Sequence, residues 1–291
     1  MGSEMCIRDS IIFVYGYFGI PPMGGVGCGI ATSINVVIGV IVLVLVIIKK
    51  KEYRPTKIFS KFSLPNWDTT KEALKLGLPI GFGVFVELSM FSGAALILGS
   101  LGATVISGHT VAINIVSVLF ILPLSFGLAA ATRIGNLVGE KKLHQAKYAS
   151  SIAIFICFAG AILNMVIILI FRDNLVSLYS SDLAVATIAM NLLLFGAIFQ
   201  IPDGMQMGAL GSLRGYKDTF APMLMIILTY WFVALPVGYY LTYFGIFGDP
   251  MGPSGIWIGM ITGLTIFASL IIPRLNYIAS KFIARSNPEL L

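Results

Sequence analysis

Charge is scarce in this 291-residue chain. Asp, Glu, Lys and Arg make up only 11% of it, whereas a typical soluble domain has roughly 25%. Hydrophobic residues account for 57%, and the mean hydropathy is +0.94. Too few charged residues are present to cover a water-facing surface, which excludes a soluble globular domain, a disordered chain and a coiled coil. The composition predicts a protein whose solvent is the lipid bilayer.

Residues for redox, metal and nucleotide chemistry are also few. Three cysteines (Cys6, Cys28 and Cys157) and two histidines (His109 and His144) have the spacing of neither a disulfide framework nor a zinc site. We expect His109 to pack or hydrogen-bond within the helices. No GxxxxGK[ST] run is present in the sequence, so ATP is not expected to be the energy source, and no cofactor is predicted. The net charge of +6 is typical of cytoplasmic membrane loops, and no nucleic-acid partner is expected.

Long apolar runs are abundant instead. A membrane-spanning helix needs about 20 apolar residues. Seven stretches satisfy this length, at about 26–48, 74–100, 103–132, 149–171, 183–213, 220–244 and 256–277. The runs are continuous rather than alternating, which predicts helices and not an outer-membrane barrel. The predicted fold class is an all-α polytopic membrane protein, with membrane lipid as its surroundings.

The start of the sequence suggests a piece of a longer protein. Residues 11–20 are apolar but too short to span, and they end at the turn-forming Pro21 and Pro22. We expect them to be the end of a helix whose start is missing. Residues 1–10 are polar and do not fit a signal peptide, and they are expected to be a non-native leader.

Lys and Arg are distributed on one side of the predicted topology. Of the 19, 17 fall in alternate connections or the C-terminal tail, on what we call the basic side. Of the other two, Arg172 is on the opposite side and Arg8 is in the leader. By the positive-inside rule this predicts a multi-pass protein of the inner (plasma) membrane with a cytoplasmic C-terminus.

One connection, 49–73, is long and carries charges of both signs. It predicts a cytoplasmic linker, with Asp68 or Thr69 capping the helix that begins near KEALKLG. The linker would separate the end of a first bundle (11–48) from a second six-helix bundle (74–280), and a cytoplasmic tail (281–291) would follow.

Two of the 13 acids lie in the middle of predicted spans, namely Glu87 and Asp203. No Lys or Arg lies deep in a span to neutralise them. A charged residue at the bilayer centre costs ~2.5–3.5 kcal/mol on insertion scales, so such acids commonly serve a function. A proton or a metal cation would remove the cost of both carboxylates, which predicts a cation-coupling site. The structural alternative is that each acid only hydrogen-bonds within the bundle.

The neighbours of Asp203 favour a cavity. Pro202 removes a backbone hydrogen bond and is predicted to act as a hinge. Gly204 and Gly208 either loosen this helix or allow close helix packing. Residues that would suit a bulky organic cation lie nearby, because Met and aromatic side chains adapt to varied shapes. These candidates for a substrate-lining role are Phe91, Phe199, Gln200 and Met207.

Three runs occur in order along the chain: LKLGLPIGFGVFVELSMFSG, then GHTVAINIVSVLFILPLSFGLAAATRIG, then IPDGMQMGALGSLRGYKD. Together they resemble the multidrug and toxic compound extrusion (MATE) transporters of the NorM-like branch, over about residues 11–280. The resemblance implies twelve helices in two six-helix bundles. This chain would supply the end of the fifth helix, the sixth helix and the whole second bundle.

The resemblance also implies an activity, the export of organic cations and drugs in exchange for Na⁺ or H⁺, and a monomeric protein. Glu87 and Asp203 match the two acids of the family's second-bundle cation site, where Na⁺ is a possible ligand. Cys28 and Phe120 match positions near that site, and Phe199 stands where some relatives have a tyrosine. The family's first-helix acid is absent with helices one to four. The chain is therefore expected to need those N-terminal helices as its partner for transport.

Other functions remain possible on the sequence. A lipid-linked oligosaccharide flippase would share the architecture, but its cavity would be expected to hold Arg and Lys for pyrophosphate. An exporter of an endogenous metabolite is equally compatible with the spans. An intramembrane aspartyl protease would show a GxGD-type run, and the run at Asp203 is PDG with a Glu as the other acid.

Overall fold

The computed structural model describes residues 24–49, 66–245 and 248–286, and within these ranges every regular element is helical. The helices are α1 Gly24–Lys49, α2 Trp67–Gly99, α3 Ala103–Gly139, α4 Leu143–Ser177, α5 Leu183–Gly215, α6 Phe220–Ile226, a π-helical segment Ile227–Ala234, α7 Leu235–Tyr243 and α8 Pro253–Ser286. The chain divides into two compact units between Asn66 and Trp67. In its described part, the first unit holds α1 and the second holds α2 to α8.

The all-α polytopic fold predicted from the sequence is confirmed. Seven stretches of the described residues are long and apolar enough to cross a membrane, at 29–49, 67–99, 103–139, 143–177, 183–215, 220–243 and 253–285. Each corresponds to one of the seven predicted spans. The predicted leader, the partial helix 11–20 and most of the linker 49–73 lie outside the described residues. The assignment of the spans to two bundles stays a prediction.

The start of α2 differs from the predicted cap. The helix begins at Trp67, so Asp68 lies in its first turn rather than before it. An acidic side chain in the first turn still stabilises the helix, because it faces the partial positive charge of the helix N-terminus. The polar first two turns of α2 therefore belong to the helix, ahead of the apolar run that begins near residue 74.

Helix α5 lies at the centre of the second unit, and its glycines allow neighbouring helices to approach closely. A Cβ atom on Gly204 would lie 2.6 Å from the Cβ of Ala161, and one on Gly208 would lie 2.8 Å from the Cα of Ile154. Likewise, a Cβ on Gly211 would overlap the carbonyl group of Gly127 in α3. Small residues spaced by four are typical of tight packing between membrane helices. Of the two roles considered for Gly204 and Gly208, the structure supports close packing against α4.

The segment Ile227–Ala234 is π-helical and joins α6 to α7 without a break in the span 220–243. Such segments are rare and occur frequently at functional sites. Neither Gly nor Pro lies within its sequence, ILTYWFVA. The segment carries Tyr230, which is 1% exposed and points into the unit.

Candidate functional site

A chain of hydrogen bonds surrounds the carboxylate of Asp203. The amide nitrogen Nε2 of Gln206 donates to Oδ1 of Asp203 at 2.7 Å. The hydroxyl of Tyr230 in turn donates to Oε1 of Gln206 at 2.8 Å. All three side chains are buried, and Asp203 is only 4% exposed. Buried polar groups normally occur in such satisfied networks, since an unpaired one costs about 1–3 kcal/mol.

Three local features place this network. Asp203 follows Pro202 within the continuous helix α5, and Gln206 lies one helical turn beyond it. The π-helical segment brings Tyr230 to the same place. The Tyr230 ring packs edge-on against Phe267 of α8, with 5.8 Å between ring centroids. The hydroxyl is thus directed by packing on one side and by hydrogen bonding on the other.

Glu87 is placed differently. Its side chain is half-buried in the middle of α2 and makes no hydrogen bond or ion pair within the described part of the chain. It lines a cavity of about 20 Å³ together with Arg214, Asp218 and Thr219. Leu210 and Arg214 of α5, the helix that carries Asp203, also line this cavity, whereas Asp203 does not. The two predicted acids therefore lie on helices that meet at the cavity.

Arg214 changes the expected charge balance. The sequence predicts no Lys or Arg deep enough in a span to neutralise either acid. In the structure Arg214, at the end of α5, lines the same cavity as Glu87. The two groups form no direct ion pair within 4 Å among the described residues.

An aromatic cluster lies beside the acids. The rings of Phe91 and Phe199 are 6.2 Å apart, and those of Phe199 and Trp257 are 6.1 Å apart. The indole N–H of Trp257 donates to Nδ1 of His109 at 3.2 Å. His109 is thus buried and hydrogen-bonded, in line with the role expected for it. Two of the predicted substrate-lining residues, Phe91 and Phe199, are brought together here.

Gln200 and Met207 belong to different surroundings. Gln200 is fully buried, donates to the carbonyl of Val116 at 3.3 Å and accepts from Asn164 at 3.3 Å. Met207 is 4% exposed and lies where a Cβ on Gly127 would touch it. Both contacts hold α3 to α5. A substrate-lining role for these two residues stays a prediction.

The remaining predicted residues are dispersed. Pro202 is buried within α5 and lines an apolar groove of about 330 Å³ with residues of α8. Phe120 is half-buried in α3. The side chain of Cys28 lies outside those that the structure describes. The hinge role of Pro202 and the ligand-lining roles of Phe120 and Cys28 stay predictions.

Sequence reasoning missed Gln206, Tyr230 and Arg214. The spacing of Gln206 from Asp203, three residues on a helix, could have identified it. Tyr230 comes from another helix, and no local pattern marks it. Arg214 stands at the end of its span, so the sequence predicts only a role in topology for it, although the side chain is long enough to reach inward.

Two ion pairs lie on the basic side, next to the Glu87 cavity. Nε of Arg274 donates to Oδ2 of Asp218 at 2.8 Å, and Nζ of Lys217 lies 2.9 Å from Oε1 of Glu72. Asp218 and Thr219 line both the Glu87 cavity and a second cavity of about 360 Å³. The second cavity is also lined by Glu72, Lys75 and Lys217. Polar residues therefore continue from Glu87 to the basic side.

Comparison with known proteins gives a consistent result. The family described as MatE matches residues 79–240, more than half of the chain. Multidrug resistance protein NorM of Vibrio vulnificus (strain YJ016) is 38% identical over 278 residues, which are 96% of this chain and 61% of that protein. Multidrug resistance protein PmpM of Pseudomonas aeruginosa is 37% identical over 282 residues, which are 97% of this chain and 59% of that protein.

Solved structures share the fold. The crystal structure of the eukaryotic MATE transporter AtDTX14 superimposes with a TM-score of 0.83 at 23% identity, covering 98% of this chain and 63% of that one. An outward-facing multidrug resistance MATE family transporter of the MOP superfamily gives 0.80 at 19% identity, covering 97% and 61%. The chain thus spans about three fifths of the length of these proteins.

Proposed function

The chain belongs to the MatE family, and on that premise we propose that the complete protein is a secondary active transporter, not an enzyme. It exports organic cations in exchange for Na⁺ or H⁺. The observation that carries this proposal is the buried network of Asp203, Gln206 and Tyr230 with Glu87 beside it, inside helices long enough to span a membrane. The names of the NorM and PmpM relatives support drugs as the substrates.

The chemistry of the site suits a small hard cation or a proton. Among the described residues, Oδ1 of Asp203 accepts one hydrogen bond and Oδ2 has no partner. Oδ2 is thus available to hold a proton or to bind a cation. Carboxylate, amide and hydroxyl oxygens are the ligands that hard cations prefer. Asp203 and Glu87 would supply negative charge, and Gln206 and Tyr230 would hold the Asp203 carboxylate in place.

Coupling follows from competition or linkage between the cation and the drug. A cation that enters the Asp203 site changes the charge beside Phe91 and Phe199, where an organic cation could stack. The two ligands then weaken each other's binding, whichever binds first. Rocking of the two bundles would expose the site alternately to the two sides of the membrane. The 17 basic residues on one side of the topology support a cytoplasmic C-terminus and a location in the inner membrane.

The test is efflux of ethidium, a fluorescent organic cation, from pump-deficient bacteria that express the complete gene. An imposed Na⁺ gradient and an imposed pH gradient are compared, to identify the ion. We expect Asp203→Asn and Glu87→Gln to abolish gradient-driven efflux while membrane levels are kept. The matched controls Asp173→Asn and Glu140→Gln remove exposed acids and should pump normally. Normal pumping by both site variants would refute the site, and no efflux by the wild type under either gradient would refute drug export.

A further inference from the structure

Arg214 has an unusual environment for a residue at the end of a span. Its Nε atom is buried and has no hydrogen-bond partner among the described residues. Its side chain lines the cavity of Glu87. A cavity of about 20 Å³ has room for roughly one water molecule. Arg214 therefore lines the same very small cavity as Glu87, and most of the other residues around it are apolar.

The other acids near this space already have partners. Asp218, which also lines the cavity, is paired with Arg274 at 2.8 Å. Glu72, at the mouth of the neighbouring cavity, is paired with Lys217 at 2.9 Å. Of the described acids that line the cavity, Glu87 is thus the one without a cationic partner of its own. Arg214 is the cationic residue that lines this cavity with Glu87.

We propose that Arg214 is a tethered counter-ion of Glu87, which neutralises this carboxylate when the coupling cation has left. The inference rests on the proposed function and adds a residue to its mechanism. A guanidinium group stays protonated at every physiological pH. Its long side chain is anchored on α5, the helix that also carries Asp203. A shift of the guanidinium group toward Glu87 would let Arg214 take the place of the transported cation beside this carboxylate.

The consequence is a weaker hold on the transported cation. A cation that binds at Glu87 must either displace Arg214 or share the carboxylate with the positive charge of Arg214. Either requirement lowers the affinity of the site for the transported cation. Release toward the basic side would follow the polar path through Asp218 and Thr219. The charged residues that line the cavity with Glu87 are Arg214 of α5 and Asp218. Arg214 is the one cation in that set.

The experiment measures the ion dependence of drug efflux by the complete protein in proteoliposomes. Arg214→Met removes the charge and keeps much of the volume, and Arg214→Lys keeps the charge. We expect the Met variant to reach half-maximal efflux at a cation concentration about three- to tenfold lower, with a lower maximal rate because release is slower. The Lys variant should stay near the wild-type concentration. Arg133→Met, which removes an arginine that lines a different cavity, should change neither value.

A purely structural role would behave differently. It would lower the amount of folded protein without shifting the half-maximal ion concentration. Arg214→Lys would then restore the amount of folded protein no better than Arg214→Met. Ion-dependent thermal stabilisation in detergent gives the same affinity comparison without transport. If Arg214→Met leaves the ion dependence unchanged by both methods, or if Lys shifts it as Met does, the proposal is wrong.

The Glu87→Gln background separates this inference from the proposed function. There, Arg214→Met should produce no further shift in the ion-dependent thermal stabilisation, because the partner is already absent. If Glu87→Gln itself leaves efflux and its ion dependence unchanged, the proposed coupling site fails. If Glu87→Gln abolishes coupling but Arg214→Met has no effect on ion affinity, the coupling site stands and only the counter-ion proposal is overturned.

Discussion

The contact between α5 and α4 gives a stability prediction of opposite sign for two glycines. A Cβ on Gly208 would lie 2.8 Å from Cα of Ile154 and 2.9 Å from the carbonyl oxygen of Ala153. Both distances are shorter, by about half an ångström or more, than the 3.4 Å at which ordinary van der Waals contact begins. The obstructing atoms are backbone, so whole helices must separate. Overpacking of this kind costs about 1–3 kcal/mol.

Gly208→Ala also gains helix propensity, worth up to ~1 kcal/mol in a helix interior. The net expectation is a loss of about 1–2 kcal/mol. At about 2–4 °C per kcal/mol for a unit of this size, the apparent unfolding midpoint in detergent should fall by several degrees. The assay is a thermal scan of the complete protein at one fixed rate, with soluble folded protein measured by fluorescence-detected size exclusion.

The matched control is Gly160→Ala in α4. A Cβ there would meet only the side chain of Leu122, at 3.5 Å. This variant should keep or raise the midpoint, because it gains propensity without a clash. If the two variants shift the midpoint equally, the close approach of α5 to α4 does not limit stability and the packing argument is refuted.

Two further predictions concern buried hydrogen bonds. Asn164→Leu removes the bond of 2.8 Å to the carbonyl of Leu119 and leaves Gln200 without a donor, so we expect a loss of about 1–3 kcal/mol in the same thermal scan. An unchanged midpoint would show that this network adds no stability. Trp257→Phe keeps an aromatic ring but removes the N–H that donates to His109, which should cost about 1 kcal/mol, and the smaller ring at this fully buried position adds a packing loss. If the double variant Trp257→Phe/His109→Phe lowers the unfolding midpoint no more than Trp257→Phe does, His109 adds stability only through its contact with Trp257. A lower midpoint in the double variant would show that His109 stabilises the protein in another way.

The fold could be predicted further than the site. Uninterrupted apolar runs specify spanning helices, because a backbone in lipid must satisfy its hydrogen bonds within the segment. The acids Glu87 and Asp203 were visible for a related reason, since an ionisable residue in the middle of such a run has a large cost. Their partners were not visible. Tyr230 reaches the site through a π-helical segment, and Arg214 through the reach of its side chain, and neither is encoded by spacing along the chain.

The two acids are satisfied in different ways, and this difference assigns them different parts in the proposed exchange. Asp203 is held by Gln206, which is itself held by Tyr230, so its carboxylate has a fixed orientation. Glu87 has no such bonds among the described residues and faces a small cavity with Arg214. A fixed ligand sets where a cation binds, because its geometry does not change on binding. A carboxylate without fixed bonds can alternate between the cation and the guanidinium group, so release should depend on Glu87 more than on Asp203.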